Sequence, residues 1–508
     1  MHNDIINLLQ IGFDAHQSGN LDRAAEFYRK VLLGAPDNAD ALHLLGVVHL
    51  QQGNISGAVS KIEQSIKENP RNPEAFDHLA TALQGLGKYG DAVTALESAI
   101  SLEPNFTEAW CNLGDARDSL GDLIGAIDAY QKSISIAPEL ATPYVNMSNT
   151  YLKNKQYEEA LSTLEHVLKL DPELAPAWLN KGNALRGLKR PQEAIKAYKK
   201  ALETDCNLSA IHCLIADCFH DLGRNLEALA HFEEAHRLDP KDVDSLIGIA
   251  FCQIRNRHLQ VAESALIDVF AMEPGNCRAL AYYTILLQLD ERNDELSVFA
   301  DYDHDVSVLA FPVPEKYENH QIFNQKLCTA LQKDTSLASE PPDKTTRGGF
   351  QSGELTSQTD PDITAFHDAL KKVLNKFLKE IKPREGHPHY GAIPSDYRIQ
   401  SWSTILDAEG HQLSHMHPTG WLSGVYYAQV PPELSKHDPE NRGWLEFGGS
   451  GYDLPAHNGP VKLVAPTEGG LVLFPSYFLH RTIPFQSKTQ RISIAFDLVP
   501  HQQTVSAS

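Results

Sequence analysis

Between residues 5 and 276, small and apolar positions return every 34 residues. Proline stands at Pro36, Pro70, Pro104, Pro138, Pro172, Pro240 and Pro274, with Cys206 in the one remaining place. A small residue recurs at Gly12, Gly46, Ala80, Gly114, Ser148, Gly182, Ala216 and Ala250. Alanine recurs at Ala24, Ala58, Ala92, Ala126, Ala160, Ala194, Ala228 and Ala262, and Gly19, Gly53, Gly87, Gly121 and Gly223 punctuate the interval between. Columns that keep one phase predict eight helical hairpins. The small residues let two helices approach, glycine turns the chain between them, and proline stops the second helix. One hairpin cannot bury its apolar face alone, so the copies must stack around a continuous core.

The pattern resembles the tetratricopeptide repeat, which implies a superhelix over residues 1–276 with its concave face made by the first helix of each unit. Asn112, Asn146 and Asn180 occupy one position there in successive repeats, and Asn149 and Asn183 lie one helical turn further on. A side-chain amide both donates and accepts, so such a ladder can hold an extended peptide backbone whatever its side chains. The arrangement resembles the asparagine ladder of the O-GlcNAc transferase superhelix. The same residues read equally well as solvated side chains or as hydrogen bonds between repeats. Trp110, Tyr144 and Trp178 also share a position, and packing is the expectation for them.

The periodicity fails after residue 296. Residues 277–298 read as a capping helix and join, and residues 299–508 as a second domain. Phe299 to Tyr317 is strand-like and broken by prolines, and Asn319 to Lys333 has a helical pattern. Thr335 to Pro361 is rich in Ser, Thr, Pro and Gly and is expected to be a long loop. Ile363 to Ile381 has the 3.6-residue period of a helix laid on a sheet. From Tyr397 onward, short apolar runs separated by turns predict an all-β jelly roll.

Composition narrows the function classes. A formal charge of -22 over 508 residues speaks against a nucleic-acid-binding surface. No apolar run approaches bilayer length, and Met1 to Gln10 reads as an amphipathic helix rather than a signal peptide, so the expectation is a cytoplasmic protein without a membrane partner. The seven cysteines are scattered without a CxxC pair, as reduced thiols would be. Cys206, Cys213 and Cys218 are close in sequence, but within helical repeats packing is the expected role. The zinc-protease, serine-hydrolase and phosphate-loop motifs are missing from the chain.

Candidate chemistry gathers between His411 and Leu498. His415 and His417 are two residues apart, so on a strand both point to one face and can reach one ion. His480 follows the apolar run Gly469 to Ser476, which reads as a buried strand that delivers a third imidazole. Arg491 and Ser493 share one face of a last strand whose other face is Ile492, Ile494, Phe496 and Leu498. Only one of the neighbouring Tyr426 and Tyr427 can face a cavity.

These motifs, read as HxHP, SGVYY, FPSxxxH and RIS, resemble those of a group of 2-oxoglutarate/Fe(II)-dependent oxygenases. The resemblance implies a double-stranded β-helix with flanking helices, with Fe(II) and 2-oxoglutarate as cofactors. It makes His415 and His480 metal ligands and Arg491, with Ser493 beside it, the grip on the cosubstrate's far carboxylate. In such enzymes an H-x-D/E pair supplies a carboxylate ligand, and here His417 stands in its place. His417 is therefore read as the third ligand, with Glu446, Asp453 or water as the alternatives. The implied activity is hydroxylation of a protein or peptide recruited by the repeats. Two other readings stay open: a non-catalytic scaffold with a degenerate oxygenase domain, and a cupin-like three-histidine dioxygenase that needs no 2-oxoglutarate.

Overall fold

The computed structural model describes residues 2–204, 208–341, 344–434, 438–449, 451, 454–455 and 461–501. Its compact division falls between Arg224 and Asn225, inside the repeat array. In the first unit, antiparallel helices follow one another from His2–Gln17 to Leu208–Asp221. Asn20, Asn38, Asn54, Asn72 and Asp122 cap helix N-termini by accepting from backbone N–H groups three residues on. Every alanine of the 34-residue column is completely buried where two helices meet. Trp110, Tyr144 and Trp178 each donate to the carbonyl of the proline six residues earlier, tying the first helix to the preceding turn.

The turn within each hairpin is a left-handed residue followed by a backbone bond that spans five residues, as from Asn20 N–H to Ala15 C=O and from Asp122 N–H to Arg117 C=O. Glycine holds five of these turns. Lys155, Lys189 and Arg257 hold the others at φ 57°, 58° and 62°. Glu291 takes φ 56° at the next place in the same phase, so helices Cys277–Leu289 and Asn293–Phe299 form one further hairpin rather than a lone cap. The sequence conceals it because Thr284, Glu291 and Leu296 occupy the small, glycine and alanine columns.

In the second unit, repeats from Asn225 onward lead into a curled antiparallel sheet. Helix Cys277–Leu289 is buried along almost its whole length. Cys277 Sγ donates to Gly420 C=O at 3.1 Å, Gln288 Nε2 to Gly448 C=O at 3.4 Å, and the Tyr477 hydroxyl to Phe299 C=O at 2.5 Å. The described strands are β1 Ser307–Ala310, β2 Ala338–Ser339, β3 Thr346–Gln351, β4 Tyr397–His415, β5 Leu422–Gln429, β6 Leu445–Phe447, β7 Lys462–Val464, β8 Gly470–Pro475, β9 His480–Thr482 and β10 Arg491–Pro500. Their order is β1-β8-β5-β10-β4-β9-β6-β7, with β3 also on β4 and β2 on β3. Helices His320–Gln332 and Pro361–Glu380 pack on the back of the sheet around Phe323, Leu327, Phe366 and Leu370.

The stretch Thr335 to Pro361 is not a long loop, since it contributes β2 and β3 to the sheet. Gly348, at φ +63°, and Gly349 sit where the register of β3 on β4 shifts. A Cβ on Gly349 would collide with Ile405 C=O, so the residues that make this strand look like a loop are those its bulge requires.

Candidate metal and anion site

The site is built on one face of β10. In an antiparallel sheet, directly opposed residues point to the same side. Ser493 therefore lies between Thr404 of β4 and Tyr427 of β5, Ala495 between Trp402 and Val425, and Asp497 between Gln400 and Ser423. The opposite face of β10 carries Ile492, Ile494, Phe496 and Leu498, all fully buried against the helices.

Three imidazoles converge at one end of this face. His415 pairs with His480 across β4 and β9. His417 follows β4, and its backbone N–H donates to Ser476 C=O at 2.9 Å. One ligand nitrogen from each of the three lies within 4.8 Å of the others, and among the described residues this is the group able to hold a metal ion. Each ring is fixed through Nδ1. His415 Nδ1 bonds Leu413 C=O at 2.7 Å and His480 Nδ1 bonds Phe478 C=O at 2.9 Å, while His417 Nδ1 meets Asp497 Oδ1 at 2.5 Å. A backbone carbonyl can only accept, so Nδ1 carries the proton in His415 and His480, and Nε2 is the nitrogen left for a ligand bond. Burial and the neighbouring imidazole push His415 down to about 3, and burial followed by His415 and His417 holds His480 well below the ordinary histidine range. Imidazoles clustered in this way, each with Nδ1 already engaged, suit a divalent ion of the imidazole-binding type.

The other end of the face is built for an anion. Arg491 is 1 % exposed, and its Nε and Nη1 have no hydrogen-bond partner. Its guanidinium carbon stands 4.9 Å from the centre of the Tyr427 ring. The hydroxyls of Tyr427 and Thr404 are likewise buried without a partner. Burial lowers the arginine's proton affinity from its usual value, with Tyr427 opposing the shift, and burial raises that of Tyr427. Unpaired donors that converge on one buried place fit a carboxylate, which a planar guanidinium can grip through two parallel bonds.

The other residues singled out in the sequence are placed as follows. Ser493 lies in the same row as Thr404 and Tyr427. Of the tyrosine pair, Tyr427 faces the site, while Tyr426 donates to Asn324 at 2.5 Å in the core behind the sheet. Glu446 is turned away and engaged by Arg481 through both oxygens, at 2.8 and 2.9 Å. Asp453 and Cys206 lie outside the described residues. Trp402 stands half-buried with its ring 5.5 Å from that of His417. Sequence reasoning missed Thr404 and Asp497, although Asp497 is in step with Arg491 and Ser493 along one strand.

The asparagine column of the repeats is occupied. The side-chain N–H groups of Asn112, Asn146 and Asn180 donate to Asp77, Asp115 and Ser148 of the preceding repeats, at 2.8, 2.9 and 3.2 Å. Asn183 accepts from the Tyr198 hydroxyl at 2.8 Å, and Asn149 is exposed. Bonds between repeats are therefore made by Asn112, Asn146 and Asn180, while the Asn183 bond lies within one hairpin.

A family model described as "Putative 2OG-Fe(II) oxygenase" matches residues 400–497. Tetratricopeptide-repeat models match residues 79–141, 141–174, 175–205 and 209–242, and one for subunit 3 of the anaphase-promoting complex matches residues 17–99. No curated protein matches the chain. Among solved structures, the MamA protein is similar at 27% identity over 34% of this chain and 96% of that one, with a TM-score of 0.32. TTC0263, a thermophilic TPR protein of Thermus thermophilus, is similar at 25% identity over 36% and 100%, with a TM-score of 0.31. YrrB, "a TPR protein with an unusual peptide-binding site", is similar at 17% identity over 37% and 97%, with a TM-score of 0.32. Among the described residues no helix is long and apolar enough to cross a membrane.

Proposed function

From a chain that joins tetratricopeptide repeats to a 2OG-Fe(II) oxygenase domain, we propose a 2-oxoglutarate- and Fe(II)-dependent dioxygenase that hydroxylates a protein or peptide recruited by the repeats. The observation that carries this reading is a cluster of three imidazoles at one end of the sheet face and, at the other, a buried guanidinium whose Nε and Nη1 are unmet. His415, His417 and His480 are the residues proposed to hold Fe(II). Bound there, the ion supplies the oxidative chemistry that couples decarboxylation of 2-oxoglutarate, to succinate and carbon dioxide, with insertion of oxygen into a C–H bond.

The protein's own part is binding and aim. Arg491 takes the far carboxylate of the cosubstrate, and Ser493, Thr404 and Tyr427 offer hydroxyls beside it. Trp402 walls the space next to His417 and limits water there. Repeats that hold a target raise its effective concentration at the site without a second diffusional encounter. With the amide N–H groups of Asn112, Asn146 and Asn180 engaged between repeats, their side-chain oxygens and the exposed Asn149 are the groups proposed to meet a peptide backbone, alongside Asn183.

The test is anaerobic loading with Fe(II), admission of oxygen, and measurement of succinate with and without 2-oxoglutarate. Succinate that forms only with 2-oxoglutarate, and is lost in Arg491→Ala, is the expected result. A chain that takes up no iron is the scaffold instead. Oxygen consumed without 2-oxoglutarate identifies the cupin-like dioxygenase.

A further inference from the structure

His417 differs from the other two histidines in what stands behind it. His415 and His480 lean on neutral backbone carbonyls, but His417 Nδ1 meets a carboxylate oxygen. Asp497 is 5 % exposed, and among the described residues its ion-pair partner is His417. Ser423 Oγ donates to the same Asp497 oxygen at 2.6 Å, lies 3.0 Å from His417 Nδ1, and shares a hydrogen bond with Ser476 Oγ at 2.8 Å. Asp497 does not belong to the cluster of ligand atoms, so the carboxylate is behind the imidazole and not beside it.

A buried carboxylate without a cation is costly, because burial strips it of water. Among the described residues, its hydrogen bonds come from the Ser423 hydroxyl and the His417 imidazole. The imbalance is relieved when the far side of that imidazole meets a positive ion. Two histidines and a carboxylate around a divalent ion leave a net charge of about +1, and three neutral histidines leave about +2, by simple addition of formal charges. A carboxylate one hydrogen bond behind His417 brings the sum back to the lower value. It also holds the proton on Nδ1 and so directs Nε2 to the ion.

Building on the reading of the three histidines as ligands, we infer that Asp497 is a positioning residue of the metal site. It supplies, one hydrogen bond behind His417, the negative charge that an ordinary facial triad places on the metal, with Ser423 fixing the carboxylate. The role has a readout separate from turnover, namely the affinity of the unreacted protein for a divalent ion.

Titration of the full chain with Co(II) under anaerobic conditions, followed by visible absorption, measures it. Asp497→Asn keeps the side chain's shape and removes its charge. The expected result is Co(II) binding about 10- to 100-fold weaker than in the parent chain, with unchanged thermal unfolding of the metal-free protein. Equal affinity of Asp497→Asn and the parent chain overturns the inference while leaving the three-histidine site standing. Should Asp497→Asn fail to fold, Ser423→Ala decides, with a smaller loss of affinity expected and no loss overturning the inference. A parent chain that takes up no Co(II) overturns the functional reading itself, and the inference with it.

Discussion

The first unit of the repeat array and the curled sheet differ in how they treat buried polar groups. Among the described residues before Asn225, no buried side-chain nitrogen or oxygen lacks a hydrogen-bond partner. Asn112 finds Asp77, Asn146 finds Asp115, and Tyr130 finds the same Asp115 at 2.6 Å. In the sheet, Arg491, Tyr427 and Thr404 are buried on one face with donors unmet. An unsatisfied buried group costs about 1–3 kcal/mol, more when charged. A helical array with no ligand of its own to bind inside its core has no reason to tolerate that cost. A sheet face that must receive a diacid does, because groups paired in advance are not available to the ligand. Other buried groups are also unmet, among them Asn225, His236, Asn324 and His389, and what sets Arg491, Tyr427 and Thr404 apart is that they lie together on one sheet face.

The most direct way to break this contrast is Arg491→Met. If the guanidinium is kept for a ligand, its removal deletes an uncompensated buried charge, and the metal-free protein unfolds at the same or a higher denaturant concentration. Affinity for 2-oxoglutarate in the metal-loaded protein falls at least about a hundredfold, since each charge-assisted hydrogen bond contributes about 1.5–3 kcal/mol. Calorimetric titration and chemical unfolding measure the two quantities. A large loss of stability without loss of binding would place Arg491 among the array's kind of residue.

Substitution in the array should do the reverse. Gly182 lies against the Tyr198 ring, and a methyl group added there would overlap it. Gly182→Ala is expected to cost about 1–3 kcal/mol of unfolding free energy, the usual range for overpacking, and to leave 2-oxoglutarate affinity unchanged. Unfolding curves together with the same titration separate these outcomes.

How far each region could be read in the sequence follows the same division. The array is legible because the same contact is made at every 34th residue, so Ala24 and Ala262 report one environment although they belong to different hairpins. Its last hairpin is not, because the backbone keeps its phase at Glu291 after the side chains have left theirs. In the sheet, His415, His417, His480, Arg491 and Ser493 could be named from strand alternation and motif; the three imidazoles lie together, and Arg491 and Ser493 alternate on β10. What supports them could not be named. The pairing of His417 with Asp497 joins residues 80 positions apart and depends on two strands meeting in one register. β3 was hidden by its own glycines, which a bulged strand needs and a loop would also contain.

Acid should separate the regions less sharply. Burial, then the neighbouring His78, lowers His43 in the array to about 4. Burial, then His387 and Arg384, lowers His389 to about 3. Each imidazole is more readily protonated in the unfolded chain than in the folded one. The stability each contributes is complete above the ordinary histidine value of about 6.5 and is lost as pH falls from there towards the folded value. The expected loss is at most about 1.4 kcal/mol per pH unit for each group. His389 is the more deeply buried of the two, so the window extends further down for His389. Urea midpoints at neutral pH and at about pH 5 should converge on a weaker pH dependence in His43→Gln and His389→Gln. An unchanged pH dependence in either variant would remove that histidine from the account.

The smallest effect tests the array's own regularity. Five of its turns use glycine for the left-handed residue, whereas Lys189 adopts φ 58° with an exposed side chain. Its backbone N–H donates to Arg186 C=O at 3.0 Å, and the next N–H, of Arg190, donates to Leu185 C=O at 2.9 Å. The turn is therefore complete in hydrogen bonds, and the side chain brings only the steric cost of a Cβ in the left-handed region, about 1–2 kcal/mol. Glycine removes that cost but makes the unfolded chain more flexible, which returns part of the gain. Lys189→Gly should thus stabilise the array by about 0.5–1 kcal/mol, seen as a higher urea midpoint with an unchanged slope. A lower midpoint would mean that this turn is held by its lysine side chain and not by the backbone geometry that the glycine turns share.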